Sequence, residues 1–160
     1  MSGAYAPPHL LAFLAEHGVD HEIVAPGVPM PTVPAAAAAI GVGVEQILKT
    51  LLFQDRYGDF VVAIARGTGR VDRARLAAVT NREKLRVADA PDVVRVTGYP
   101  AGGVAPLALP PQLPVVVDAA AMALPFVWGG AGREELLLRV APADIVRLND
   151  ATVAEIVAPA

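Results

Sequence analysis

Proline decides what this chain can fold into. Residues 23–44 and 96–117 carry no Asp, Glu, Lys or Arg, and each stretch is long enough to cross a bilayer as a helix. The first holds Pro26, Pro29, Pro31 and Pro34, and the second holds Pro100, Pro106, Pro110, Pro111 and Pro114. A proline inside a helix removes a backbone donor and clashes with the preceding turn, so neither stretch is a continuous spanning helix. The 54% hydrophobic content is then the core of a globular domain, and 160 residues suit one domain with a core of its own.

The opening residues, MSGAYAPPHL, have no basic segment and no apolar run ahead of a small-residue cleavage site. A secretory signal is not expected, and a cytoplasmic location is the default. The absence of cysteine excludes disulfides, thiolate metal ligands and a Cys nucleophile. His9, His17 and His21 cluster near one end and read as surface residues rather than a metal site or a triad. Net charge is −3 with the basic residues scattered, so any nucleic acid must be held locally rather than across a broad basic face.

The local signals alternate between helix and strand. Pro7-Pro8 followed by Leu10, Leu11, Phe13 and Leu14 predicts a first helix ending at Gly18. Residues 21–24 follow as a short strand. Thr32 can cap a helix over 35–39 closed by Gly41. Residues 47–53 and 60–65, separated by a turn over 55–59, predict a hairpin. Asp72 can cap a helix through Leu76 to Val79, residues 85–87 suggest another strand, and Pro91 opens a brief helix ending near Gly98. The proline-rich loop over 98–114 should be irregular and stiff. Strands are expected at 115–117 and 126–128, with residues 129–132 as a turn before the apolar run 136–140 and a last helix over 142–148. Asp144 sits in the first turn of that helix. Interleaved elements without repeat or linker predict one α/β domain of mixed α+β character over residues 1–160.

Of the thirteen Lys and Arg residues only Lys49 and Lys84 are lysines. Strand alternation places Lys49 on a face with Ile47, Leu51 and Phe53. An ammonium on an apolar face is costly unless it reaches a cavity, an anion or a polar ligand, and in a cleft it could hold a carbonyl or phosphate oxygen. The alternative is a lysine whose stem lies on the core while its head reaches water. Gly102-Gly103-Val104-Ala105-Pro106 could present backbone N–H groups to an ester or ribose, or could simply turn a corner. Asp118 is either a cap for residues 119–122 or a carboxylate at a strand end facing a cleft. Trp128 reads as a packing residue.

In order, Ile40-Gly41-Val42 to Lys49-Thr50-Leu51-Leu52-Phe53, Val71-Asp72 with Leu76-Ala77, and Thr97-Gly98-Tyr99 with Gly102 to Pro106 resemble the YbaK/ProX family. Residues 113–118 and Gly129-Gly130 complete the likeness, which covers residues 10–157. It implies a mixed sheet, partly closed like a barrel and flanked by helices, with a pocket for the aminoacyl end of tRNA. It implies that Lys49 is the essential residue and that Thr50, Gly102, Gly103, Val104, Pro106, Asp118, Gly129 and Gly130 bind substrate. No metal or cofactor is implied. No acidic role passes to Glu134 or Glu135, because the segment after Gly130 does not align.

The function expected is metal-independent deacylation of mischarged tRNA carrying a small amino acid such as alanine, serine or cysteine, with tRNA for proline a candidate. The partners expected are the acceptor end of aminoacyl-tRNA and an aminoacyl-tRNA synthetase. The rival is a non-catalytic module that keeps the pocket and binds tRNA or a synthetase.

Overall fold

The computed structural model describes residues 5–159; the first four residues, part of the segment read above for a signal, lie outside it. The helix signals operate as their chemistry requires. Helix α1 (Pro8–Glu16) starts with proline in its first turn. Helix α2 (Val33–Ile40) is capped by Thr32 Oγ1, which accepts from Ala35 N at 3.2 Å, and ends at Gly41 in the left-handed region. Asp72 caps α3 (Arg73–Thr80) and Asp89 caps α4 (Ala90–Thr97). Helix α5 (Pro142–Asn149) carries Asp144 in its first turn, where it pairs with Arg147 at 2.9 Å.

Strands β2 (Leu48–Gln54) and β3 (Phe60–Arg66) form the expected hairpin, with Lys49 opposite Ala65 and Leu48 opposite Arg66. They are central in a mixed sheet of order β4-β2-β3-β5-β8, where β4 is Arg86–Val87, β5 is Val115–Asp118 and β8 is Thr152–Ala154. β3 pairs with β5 and β5 with β8 in parallel. A second, antiparallel sheet of order β1-β7-β6 contains β1 (Glu22–Val24), β6 (Val127–Gly130) and β7 (Leu137–Val140). One parallel bridge, Ile47 to Trp128, joins the two sheets and gives the partial closure.

The main core lies on the face of β2 that carries Leu48 and Leu52, against Leu10, Leu14, Tyr99, Leu107 and Leu138. Its other face packs Phe53, Ala63, Leu76 and Ile156, so α3 covers it. α2 closes a smaller cluster through Ala36 and Ala37 against Ile47, Leu137 and Trp128.

One expectation needs correction. Gly129 and Gly130 belong to β6 rather than to a turn, and glycine there serves close packing, against backbone at Gly130 and against a proline ring at Gly129. A Cβ on Gly129 would stand 3.3 Å from Pro106 Cδ, and one on Gly130 would overlap the Val104 carbonyl. The loop over 98–114 is irregular, and its middle runs through the interior. Val104, Ala105, Leu107 and Leu109 are buried, and the buried Tyr99 hydroxyl donates to Leu107 O at 2.8 Å. Strand β8 had no sequence signal; its three residues gain strand geometry only by pairing with β5.

Candidate active site

The site follows from an incomplete strand edge. On one side β2 is fully paired to β3, but on the other β4 reaches only Phe53 and Gln54. The bridge at Ile47 holds β6 close to the start of β2. Between these two points, residues 48–51 have an edge with no strand partner among the described residues, and a cleft of about 210 Å³ opens against it.

Lys49, Thr50 and Leu51 form the floor of this cleft. Met30, Pro31, Thr32 and the start of α2 make one wall, while Gly102, Val104 and Gly130 make the opposite one. Glu134, Leu136 and Leu137 close the end. A wider hollow of about 700 Å³ continues past Met30, Pro31, Gly102 and Glu134 to residues 27–29 and Glu135.

Lys49 is half-buried and has no carboxylate within ion-pair distance among the described residues. Burial, and next the positive charge of Arg70, lower its pKa from the ordinary lysine value. Thr50 Oγ1 is buried without a hydrogen-bond partner, a cost that a polar ligand would relieve. The cleft is therefore bordered by an uncompensated cation and, on the next residue of β2, by an unmet hydroxyl.

Gly102 has φ +84°, a backbone conformation that β-carbons disfavour, and a Cβ there would lie 3.6 Å from Glu134 Oε1. Gly103 is fixed by two backbone bonds, its N–H to Pro100 O at 2.9 Å and its carbonyl from Gly132 N at 2.8 Å. These bonds hold the 102–106 loop against the strand that carries Gly130.

Residues 28–148 match the family described as the aminoacyl-tRNA editing domain. The chain belongs to the aminoacyl-tRNA editing domain family. An Enterococcus faecalis protein, named as a candidate Cys-tRNA(Pro)/Cys-tRNA(Cys) deacylase, is 27% identical over 76% of this chain and 74% of its own length. A crystal structure of a hypothetical protein superposes with a TM-score of 0.86 at 33% identity, covering 94% of this chain and 99% of that one. The crystal structure of a candidate trans-editing enzyme for prolyl-tRNA synthetase superposes with a TM-score of 0.85 at 27% identity, covering 97% and 100%.

Within this editing domain the residues read from the sequence divide into two groups. Lys49, Thr50, Gly102, Val104 and Gly130 line one cleft, together with Ile47 and Leu51. Gly103, Pro106 and Gly129 stand behind it and support its wall, and Trp128 packs in the α2 cluster. Asp118 meets neither of its expected roles. Its side chain makes no cap bond to the 3₁₀ turn Ala119–Ala123, and it stands outside the cleft. Being buried, its carboxylate instead accepts from Ile156 N at 3.0 Å and ties the C-terminal segment to β5.

Glu134, to which the sequence reading gave no role, lines both the cleft and the wider hollow. The adjacent Arg133 and Glu135 pair with each other at 2.6 Å, leaving Glu134 without an ion pair among the described residues. The only sequence signal is two consecutive glutamates after a glycine run, which points equally well to a solvated turn.

Proposed function

We propose that this chain is a trans-editing hydrolase that deacylates tRNA mischarged with a small amino acid, of the alanine, serine or cysteine type, without a metal. The observation that carries the reading is Lys49, a cation without a carboxylate partner beside the unpaired edge of β2 in a small cleft. Water adds to the ester carbonyl carbon, the bond to the ribose oxygen breaks, and free amino acid and a ribose hydroxyl result. The Lys49 ammonium stabilises the negative charge that grows on the carbonyl oxygen, where a fixed cation in a dry site is worth most. Thr50 Oγ1 and the glycine backbone of the 102–104 wall orient the ester.

Volume and lining support a small aminoacyl group. A cleft of about 210 Å³ lies below the usual range for drug-sized ligands, about 300–1,000 Å³. The wider hollow is the place for the terminal nucleotide. Apolar walls at Ile47, Leu51 and Val104 exclude bulk by overlap but separate small side chains weakly, since one methylene is worth about 1–3 kcal/mol. Selection among tRNAs, with tRNA for proline the first to try, then rests on RNA contacts and on any synthetase that delivers the substrate.

The test is single-turnover hydrolysis of alanyl-, seryl-, cysteinyl- and prolyl-tRNA beside a bulky and a charged aminoacyl-tRNA. The reading predicts release of the small amino acids with a spread of no more than about two orders of magnitude among them. A preference for the bulky or charged group contradicts the pocket assignment, and protection of every ester without release identifies a binding module instead.

A further inference from the structure

The chain is acidic overall, yet one short segment leaves its positive charge uncompensated. Of the eleven arginines, Arg66, Arg70 and Arg73 have neither a carboxylate within ion-pair distance nor a side-chain hydrogen bond among the described residues. Seven of the other eight are ion-paired. The eighth, Arg86, donates to the Gln54 side chain.

These three arginines fall on the passage from β3 into α3, on the paired side of β2; none of them lines the cleft, but Arg70 stands near enough to Lys49 for its charge to act on it. Arg66 is paired in register with Leu48, the neighbour of Lys49, and Gly67 N donates to Ile47 O at 2.7 Å, so the chain leaves β3 alongside the start of β2. Arg70 is then held in place by its carbonyl, which accepts from Ala158 N at 2.9 Å, and by the Val71 to Val157 bridge. Arg73 opens α3, the helix that covers the Lys49 face of β2. Arg70 and Arg73 are exposed and Arg66 is half-buried. Three carboxylates lie on or against this passage: Asp72 within it, which caps α3 and pairs with Arg75 at 3.6 Å; Glu155, next to the Ile156 carbonyl that accepts from Asp72 N; and Glu45, whose Cα would lie 3.6 Å from a Cβ on Gly67. Glu45 and Glu155 are exposed and have no ion pair among the described residues, so, with Asp72 matched by Arg75, the three other guanidinium groups and Lys49 outnumber them.

We propose that Arg66, Arg70 and Arg73 form a phosphate track that carries the RNA backbone of the acceptor end toward Lys49. This proposal rests on the aminoacyl-tRNA reading of the cleft. Guanidinium groups match phosphate oxygens bidentately and remain charged at any physiological pH. In a protein of net charge −3, attraction for a polyanion has to come from such a local concentration, because arginines already paired in place have little field left to offer.

The experiment measures binding of deacylated tRNA with an intact CCA end as a function of salt, together with deacylation kinetics. The variants are Arg66→Gln/Arg70→Gln/Arg73→Gln and the corresponding triple Lys substitution. Each phosphate that a variant no longer neutralises should reduce the slope of log K against log salt by nearly one. The triple Gln protein is expected to flatten that slope by about two to three units and to bind tRNA at least tenfold more weakly at low salt. It should show a raised KM with kcat retained, while the triple Lys protein keeps most of the slope. Should the half-buried Arg66 prove necessary for folding, Arg70→Gln/Arg73→Gln carries the same test with a loss of about two units. An unchanged slope and affinity in a folded Gln variant would overturn the track. Wild-type protein that binds tRNA with the arginine-dependent slope but releases no amino acid would instead overturn the deacylase reading and leave the track standing.

Discussion

The two ends of the β2–β3 hairpin each place a charged side chain in partly or wholly buried surroundings, and they treat it in opposite ways. At the turn, Asp55 is buried and its carboxylate is fully engaged: it accepts from Tyr57 N at 2.8 Å, Asp59 N at 3.0 Å and Arg82 Nη1 at 3.0 Å. Burial pushes its carboxyl up, but the N–H groups of Asp59 and Tyr57 and the Arg82 guanidinium outweigh that and hold it below the usual carboxylate range. At the open end, Lys49 has no such partner, and burial with the nearby Arg70 lowers its pKa. A buried charge whose bonds are all met holds a structure together, whereas one whose bonds are unmet inside a cleft is waiting for a ligand.

That contrast can be broken at either end. The largest effect is expected at Lys49. Lys49→Ala should slow deacylation by about 10²-fold or more with Tm nearly unchanged, since it removes a half-buried cation that no protein group needs. Lys49→Arg should also be impaired, because a planar guanidinium is longer and bulkier than an ammonium. At the other end, Asp55→Asn should lower Tm by several degrees while the folded protein keeps its rate. The sign of the pH effect follows from the lowered carboxyl pKa. The stabilisation by Asp55 is present above the unfolded carboxylate value, about 4, and is lost as pH falls through the folded value. Acid unfolding of Asp55→Asn should therefore lack part of the wild-type loss of stability below about pH 4.

The smallest effect sharpens the comparison by altering only the field at Lys49. Arg70→Gln should raise the Lys49 pKa toward the ordinary lysine value without changing Tm. The chain has only two lysines, so an NMR titration of the side-chain carbons can follow Lys49 directly. No shift on removing Arg70 would mean that burial alone sets the value.

Several of these features are legible in the amino-acid sequence alone. The lone lysine in an apolar strand, its Thr50 neighbour and the glycine wall at Gly102 can be read because each is a departure from local pattern that a strand or loop has to explain. The caps at Thr32 and Asp72 are legible for the same reason: their partners lie two or three residues away. What cannot be read depends on distant chain. Asp118 reads as a cap or a site carboxylate because its actual partner, Ile156 N, lies 38 residues on. The cleft exists because β4 is too short to cover β2, and strand length at an edge has no periodic signature. Gly129 and Gly130 read as a turn because glycine marks turns and close backbone approach alike. Unpaired arginines are visible only once every carboxylate has been placed.

The most direct test puts both ends of the hairpin through the same pair of measurements: Tm and single-turnover deacylation of alanyl-tRNA for Lys49→Ala and Asp55→Asn beside the wild type. The account predicts a crossed result, with the rate lost and Tm kept at Lys49, and Tm lost and the rate of the folded protein kept at Asp55. A Lys49→Ala protein that hydrolyses alanyl-tRNA at the wild-type rate would contradict it.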